Sequence, residues 1–306
     1  MSLTTAGSAG RSRFDPFHPA SVLSPMAHTV VRNGRRVLGR AQLHRVSVTG
    51  QAPNAVISAL KSAAIGRPMA DERAWIKRIE LIRALLATSP EQLEILDFGA
   101  GSAHRFDNGA VATRHTTTRS LGQMTRSSKP PRWAYLLFRL VRELTPASCL
   151  EMGACVGISA SYQAAALELN NTGRLITLEG APTLAARSAR TLEELLLGHR
   201  AEVRLGRFAD TLSDSLSQLR PLGMAFIDGH HVERATLDYA EAILGSAGPE
   251  ALLVFDDINW SDGMRNAWST IVEDDRYALT VDLRSVGLAV VSATATERQR
   301  LCVAYY

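Results

Sequence analysis

The sequence predicts an α/β fold with a doubly wound, mostly parallel sheet. Beyond Ala147, short apolar runs alternate with amphipathic helical stretches of about 12–16 residues, as βαβ units on a parallel sheet require. Two later strand-like runs, Tyr277–Leu283 and Gly287–Ser292, are only three residues apart, which is hairpin spacing and makes the last strand antiparallel. The five parallel strands are expected to end near Glu151, Glu179, Leu205, Asp228 and Asp256. We therefore expect seven strands.

Helical patterns lie between these strands and before them. Those that follow the strands are Leu184–Leu197, Asp210–Leu219, Val232–Leu244 and Gly263–Val272. Two more patterns, between Asn54 and Leu86, predict an N-terminal helical extension, and Pro130 and Pro131 introduce a helix that runs to Leu144. The stretch 114–129 is polar and cationic and has no hydrophobic periodicity, which is typical of either a mobile lid or a solvated linker.

Length and charge predict three regions: a flexible basic arm (1–50), a helical cap with a lid segment (51–130) and a cofactor-binding domain (131–306). The 306 residues, 46% of them hydrophobic, suffice for one α/β domain with an extension. The arm holds seven arginines against one acid, a charge of +6, so the rest carries −2 of the net +4 and is no basic nucleic-acid platform. No apolar run reaches the roughly 18 residues of a membrane span. Three cysteines form no disulfide framework, which favours a cytoplasmic setting.

Cys149–Ser159 has the pattern of a strand, a ligand-binding turn and a helix, with the sequence CLEMGACVGIS. Gly153 and Gly157 are four residues apart, whereas a dinucleotide loop reads G-x-G-x-x-G, so S-adenosylmethionine (SAM) fits the spacing better. A competing glycine loop, ILDFGAG, begins at Ile95, but no amphipathic helix follows it. We expect Asp97–Gly101 to be a turn outside the cofactor fold.

Carboxylates end most of the predicted strands, where ligands bind in open α/β sheets. Together these groups would repel one another unless a cation lay among them, and SAM carries a sulfonium. Glu179 is expected to bind the ribose hydroxyls, and Arg207 and Phe208 to border the adenine. The full set of expected donor contacts is Glu151, Gly153, Ala154, Gly157, Ser159, Glu179, Gly180, Arg207, Phe208, Asp228 and His230.

From Lys129 to about Val291 the chain resembles a class I SAM-dependent methyltransferase, of a bacterial subgroup related to small-molecule, catechol-type O-methyltransferases. The motifs that carry the resemblance are SSKPPRWAYLLFRLV, CLEMGACVGIS, LITLEGAP, GMAFIDGHH and LVFDDINWSDGM. In metal-dependent members, an aspartate after the fourth strand and an Asp-Asn pair after the fifth bind a divalent ion, and a lysine acts as base. By position the resemblance implies Asp228, Asp256 and Asp257 as ligands of Mg²⁺, with His231 where that lysine would be.

Two departures from the family pattern leave open whether the site binds a metal ion. Asp257 replaces an asparagine, and His231 replaces the lysine. A histidine could deprotonate a hydroxyl without a metal, or could itself be a ligand. Asp228 and His231 are thus the expected catalytic residues, with Trp260 as a wall of the acceptor pocket.

The predicted function is SAM-dependent O-methylation of a small molecule, by in-line transfer assisted by a base, a divalent metal or both. RNA or protein methylation is an alternative in which the arginine arm recruits the polymer, although the arm lacks interleaved aromatic residues. A SAM-binding protein without methyl transfer is another. A partner subunit contacted by the arm, and hence a homodimer, is left open.

Overall fold

The computed structural model describes residues 39, 41–97 and 115–305. The helices are α1 (Gln51–Ile65), α2 (Ala70–Ala87), α3 (Leu121–Ser127), α4 (Pro131–Leu144), α5 (Ile158–Asn170), α6 (Pro182–Glu194), α7 (Phe208–Leu219), α8 (Glu233–Leu244) and α9 (Asp262–Glu273). The strands are β1 (Gln92–Asp97), β2 (His115–Ser120), β3 (Ser148–Met152), β4 (Arg174–Glu179), β5 (Ala201–Leu205), β6 (Leu222–Ile227), β7 (Ala247–Asp256), β8 (Leu279–Asp282), β9 (Val286–Ser292) and β10 (Gln299–Cys302).

The main sheet has the strand order β10-β8-β9-β7-β6-β3-β4-β5. Strands β3 to β7 are parallel, and β9 lies antiparallel between β7 and β8. Side chains of successive strand residues pack on opposite faces, for example Cys149 against the cluster containing α4 and α5, and Leu150 against the cluster containing α7 and α8. The predicted doubly wound fold with an antiparallel last strand is confirmed.

The predicted count of seven strands is one too low for the main sheet of the described residues. Strand β10 pairs in parallel with β8 and forms an edge. Its four residues alternate between partly buried and exposed, and two of them are the polar residues Gln299 and Arg300. A short, polar edge strand has little hydrophobic periodicity, so the sequence pattern does not reveal it.

The N-terminal extension packs on the core of the sheet. Helix α1 contacts α4, β7 and β9, while α2 contacts α3 and α5. Val56 and Leu60 of α1, Ile79 of α2 and Leu288 of β9 belong to one buried cluster. The boundaries predicted near residues 50 and 130 stay predictions, and most of the basic arm lies outside the described residues.

The segment before α4 contains regular structure, so the expectation that 114–129 has no helical or strand pattern was wrong for most of its length, while its role as a lid or a linker stays a prediction. Strand β2 pairs antiparallel with β1 in a separate two-stranded sheet. Helix α3 begins with a capping box in which the Ser120 hydroxyl accepts from the Gln123 N–H at 3.1 Å and the Gln123 side chain accepts from the Ser120 N–H at 2.8 Å. Three consecutive threonines and the S-x-x-Q pattern were the available signals.

The apolar run that precedes the competing glycine loop belongs to this small sheet and not to the main one. Ile95 and Leu96 lie in β1, which pairs only with β2 among the described strands. Residues 98–101 of the predicted turn lie outside the described part of the chain. Of the two candidate loops, the one after Cys149–Met152 thus follows a strand of the main sheet, β3.

The chain reverses its direction of winding at β3, whose neighbours are β4 on one side and β6 on the other. Crossovers on opposite sides of such a point leave a crevice at the carboxyl ends of the two strands. The loop after β3 and the loop after β6 both border this crevice. The Asp228 N–H donates to the Met152 carbonyl at 3.0 Å and so joins the two strand ends.

Candidate active site

The glycine loop after β3 is shaped by two glycines at positive φ. Gly153 has φ +105°, and a Cβ there would lie 2.2 Å from the Asp228 carbonyl oxygen. Gly157 has φ +84°, precedes α5, and would place a Cβ 2.8 Å from the Ser188 hydroxyl. Only glycine allows both the backbone angles and these close approaches. The loop thus lies directly against the strand end that carries Asp228.

The N–H groups of Gly153 and Ala154 both donate to the Leu178 carbonyl, at 2.9 and 3.2 Å. They are therefore engaged with β4. These N–H groups are thus not available to the donor, and the predicted contact of Gly153 with SAM would use the Gly153 carbonyl, which can accept from an ammonium group.

Glu151, at the end of β3, and Ser159, in the first turn of α5, are both buried next to the glycine loop. Glu151 is fully buried and accepts from the Thr177 hydroxyl at 2.6 Å and the Gln163 amide at 3.0 Å. Burial raises the pKa of Glu151 to about 7. Ser159 is also buried. Glu151 has no exposed surface, and its predicted contact with the donor stays a prediction.

Glu179, at the end of β4, is held in place by the glycine loop. Its carboxylate accepts from the Cys155 N–H at 2.8 Å and the Ala181 N–H at 2.9 Å. Each of these bonds uses one lone pair of one carboxylate oxygen, so each oxygen can accept a further hydrogen bond from one of two vicinal hydroxyls. Gly180, which follows, is half-buried. Burial raises the pKa of the Cys155 thiol to about 12, which agrees with a packing role for Cys155.

Aromatic residues form the wall on the β5 and β6 side. Phe208 packs edge-on against Tyr239 and His230, with ring centroids 5.9 and 6.5 Å apart. His230 Nδ1 lies 2.7 Å from the Tyr239 hydroxyl, and burial lowers the pKa of His230. Arg207 is exposed, and its guanidinium pairs with Asp210 at 2.8 and 3.0 Å. The Arg207 side chain thus has a partner other than an adenine.

Asp228, Asp256, Asp257 and His231 converge at the ends of β6 and β7, as the sequence predicts. His231 Nε2 lies 3.9 Å from Asp228 Oδ1 and 3.8 Å from Asp257 Oδ2. Burial lowers the pKa of His231, and the neighbouring carboxylates oppose this shift. Burial and the Asp228 charge raise the pKa of Asp256 to about 7. We call these four residues and Lys129, described next, the acid cluster.

Lys129 is a residue of this cluster that the sequence analysis did not predict. Its ammonium forms an ion pair with Asp256 Oδ2 and lies 3.5 Å from Asp228 Oδ2. Burial acts against its charged form, but the charges of Asp228 and Asp256 outweigh this effect and raise the pKa of Lys129. A signal was present, because Lys129 is one of only three lysines in a chain with 31 arginines, and it directly precedes the two prolines that open α4.

Trp260 lies at the open side of the acid cluster. Its ring centroid is 6.4 Å from that of His231, and 54% of Trp260 is exposed. An exposed indole beside the half-buried imidazole of His231 presents a flat apolar surface. The crevice is thus bordered by Glu179 and the glycine loop on one side and by Trp260 on the other, which are the predicted donor and acceptor sides.

A doubly wound sheet with this antiparallel strand, a glycine loop at the switch point and acids at the adjoining strand ends defines the class I methyltransferase architecture. Residues 150–258 match a family described as a methyltransferase domain. Residues 150–258 therefore form a methyltransferase domain, and the predicted resemblance to class I SAM-dependent methyltransferases is confirmed.

Three known proteins illustrate what this chain is similar to. A catechol O-methyltransferase of Niastella koreensis is 28% identical over 155 residues, which are 50% of this chain and 67% of the relative. The SAH-bound Podospora anserina methyltransferase PaMTH1 is 14% identical with a TM-score of 0.52, over 89% of this chain and 99% of that chain, and shows the same fold. The O-methyltransferase TomG from Streptomyces achromogenes, in complex with SAM, is 23% identical with a TM-score of 0.47, over 56% and 87%. No described helix is both long and apolar enough to cross a membrane.

Proposed function

We propose that the enzyme transfers the methyl group of SAM to an oxygen atom of a small molecule bound between His231 and Trp260. The observation that carries this proposal is the position of His231, a half-buried histidine within 4 Å of two carboxylates and next to Trp260. The similarity to a catechol O-methyltransferase supports an aromatic hydroxyl as the acceptor class.

The donor would lie along the glycine loop. Glu179 would accept from both ribose hydroxyls, and Phe208 and His230 would border the adenine side. The sulfonium would then face the carboxylates at the end of β6, which favour a positive charge. Methyl transfer needs the acceptor oxygen in line with the bond from sulfur to methyl carbon, so positioning provides much of the catalysis.

His231 would act as the general base. Burial lowers its pKa, so the imidazole is neutral near pH 7 and can accept the proton of an acceptor hydroxyl. The oxygen lone pair then forms the bond to the methyl carbon as the carbon–sulfur bond breaks, and its electron pair remains on sulfur as a neutral thioether. The charges of Asp228 and Asp257, within 4 Å of Nε2, stabilise the imidazolium.

The divalent ion that the resemblance implies does not fit the described residues. Carboxylates do suit a hard cation such as Mg²⁺. However, the ammonium of Lys129 already contacts Asp256 and lies near Asp228. Among the described residues, no group of three or more His, Cys, Asp or Glu side chains has a metal-binding arrangement. We therefore assign no step to a metal.

A labelled-methyl assay tests the proposed function. The enzyme is incubated with methyl-labelled SAM and a panel of catechols, monophenols and aliphatic alcohols, and a calorimetric titration with SAM runs in parallel. We expect saturable SAM binding and label on the oxygen of at least one aromatic hydroxyl. Absence of SAM binding, or label only on nitrogen or carbon acceptors, would contradict the proposal.

The remaining expectations about partners and setting are also proposals. The −2 charge outside the arm supports a small-molecule acceptor over a nucleic acid. All three cysteines are free, which supports a reducing, cytoplasmic setting. A homodimer stays a prediction.

A further inference from the structure

Lys129 places a cation inside the acid cluster. The side chain is 14% exposed and Asp256 only 3%, so this ion pair is largely removed from water. Asp228 is the second carboxylate beside the ammonium, at 3.5 Å. A buried ion pair is retained only where its geometry and hydrogen bonds offset the cost of desolvation. Lys129 is therefore an integral part of the site.

The backbone of Lys129 is fixed by the N-terminal extension. Arg83 of α2 donates from Nη1 to the Lys129 carbonyl at 2.8 Å. Glu80 binds Arg83 Nε at 3.0 Å and also accepts from the Tyr162 hydroxyl of α5 at 2.7 Å. On the other side, Pro130 caps α4 and restricts the backbone. Lys129 thus projects its side chain from an anchored position.

The ammonium has the chemistry needed to bind an acceptor oxygen. It carries three N–H donors, and Asp256 and Asp228 can take two of them. The third donor is left for an oxygen of the acceptor, beside the imidazole of His231. A positive charge at this point favours the oxygen as it loses its proton, because it stabilises the developing negative charge.

We propose that Lys129 is the resident cation of this active site, in the place that the resemblance assigns to a divalent ion, and that it binds the acceptor oxygen during transfer. This inference rests on the proposed function, because it concerns the same acceptor. It gives Arg83 of α2 a positioning role, since Arg83 anchors the backbone of Lys129. It also makes methyl transfer independent of added metal.

Metal binding is tested directly and without an activity readout. Mn²⁺ binding is measured by electron paramagnetic resonance for the wild type, Lys129→Ala, and Lys77→Ala, an exposed lysine of α2 that serves as the matched control. We expect no stoichiometric Mn²⁺ site in the wild type or in Lys77→Ala, and one in Lys129→Ala, where the carboxylates are freed. One Mn²⁺ bound by the wild type and lost in Asp256→Asn would overturn the proposal.

Activity provides the second readout. With Lys129→Met, which keeps the length of the stem, we expect SAM affinity close to that of the wild type and a methyl-transfer rate lower by about 10²–10³, the loss typical of a removed electrostatic donor. Wild-type transfer should survive EDTA. The proposed role of Lys129 would be refuted if Lys129→Met transferred methyl groups as fast as the wild type. It would also be refuted if EDTA abolished the activity of the wild type and Mg²⁺ restored it. Circular dichroism checks that each variant is folded.

The two proposals fail in different ways. If the wild type binds no SAM or methylates no hydroxyl, the proposed function is wrong, and the Mn²⁺ comparison still reports whether Lys129 fills the cation position. If the wild type methylates a hydroxyl only with a divalent ion present, the function stands and the inference about Lys129 falls.

Discussion

The contact between the glycine loop and the end of β6 makes Gly153→Ala a sensitive test of the site. A Cβ at Gly153 would lie 2.2 Å from the Asp228 carbonyl oxygen, whereas real contacts of this kind are at least 3.0 Å apart, so the two loops must separate by about 0.8 Å. The backbone at φ +105° is also strained for alanine, which costs about 1–3 kcal/mol. We expect the free energy of unfolding to fall by at least that amount.

The same displacement separates the donor and acceptor sides of the crevice. Because misplacement by about 1 Å can cost up to 10²-fold in rate, we expect methyl transfer to fall by roughly that factor. Urea denaturation measures the stability, calorimetry the SAM affinity and labelled methyl the rate. Gly198→Ala is the matched control, since a Cβ at Gly198 meets nothing within 4 Å. If Gly153→Ala has the same stability, SAM affinity and methyl-transfer rate as Gly198→Ala, the proposed packing of this loop against Asp228 is wrong.

Further predictions concern individual side chains of the crevice. His231→Gln should lower the transfer rate by about 10²–10⁴ with SAM affinity retained, and an unchanged rate would rule out His231 as the base. Because burial lowers the pKa of His231 below 6.5 and the neutral form is required, wild-type activity should be lost as the pH falls through that lower value. This acid limb should be absent in His231→Gln. Glu179→Ala should weaken SAM binding by about 1.5–3 kcal/mol in calorimetry, and unaltered affinity would remove the ribose assignment. Arg83→Gln, which loses its bond to the Lys129 carbonyl, should slow transfer about tenfold or more at unchanged SAM affinity, and a normal rate would exclude an anchoring role for Arg83.

Much of the fold can be predicted from the sequence, because buried parallel strands give short continuous apolar runs and amphipathic helices give a regular hydrophobic period. The strand ends at Glu179, Leu205 and Asp256 lie where the apolar runs stop. The hairpin spacing of β8 and β9 likewise predicts the antiparallel strand. Edge strand β10 cannot be predicted in this way, because its polar residues are held by pairing with β8 and give no apolar run.

The residues of the acid cluster also differ in whether the sequence predicts them. Asp228, His231 and Asp256 follow predicted strands, and the carboxyl ends of parallel strands share one edge, so their meeting could be foreseen. Lys129 lies outside the strand pattern. Its position depends on α2, through the bond from Arg83, and on the proline that caps α4, and neither constraint has a periodic signature.

The most direct test of the account is a crystal structure of the enzyme with S-adenosylhomocysteine and a methylated hydroxyl acceptor, grown with Mg²⁺ in the solution. We predict that the ribose hydroxyls bind Glu179 and that the acceptor oxygen lies between His231 and the ammonium of Lys129, which remains paired with Asp256. A Mg²⁺ ion between Asp228 and Asp256 with Lys129 displaced, or a donor bound away from the glycine loop, would contradict the account.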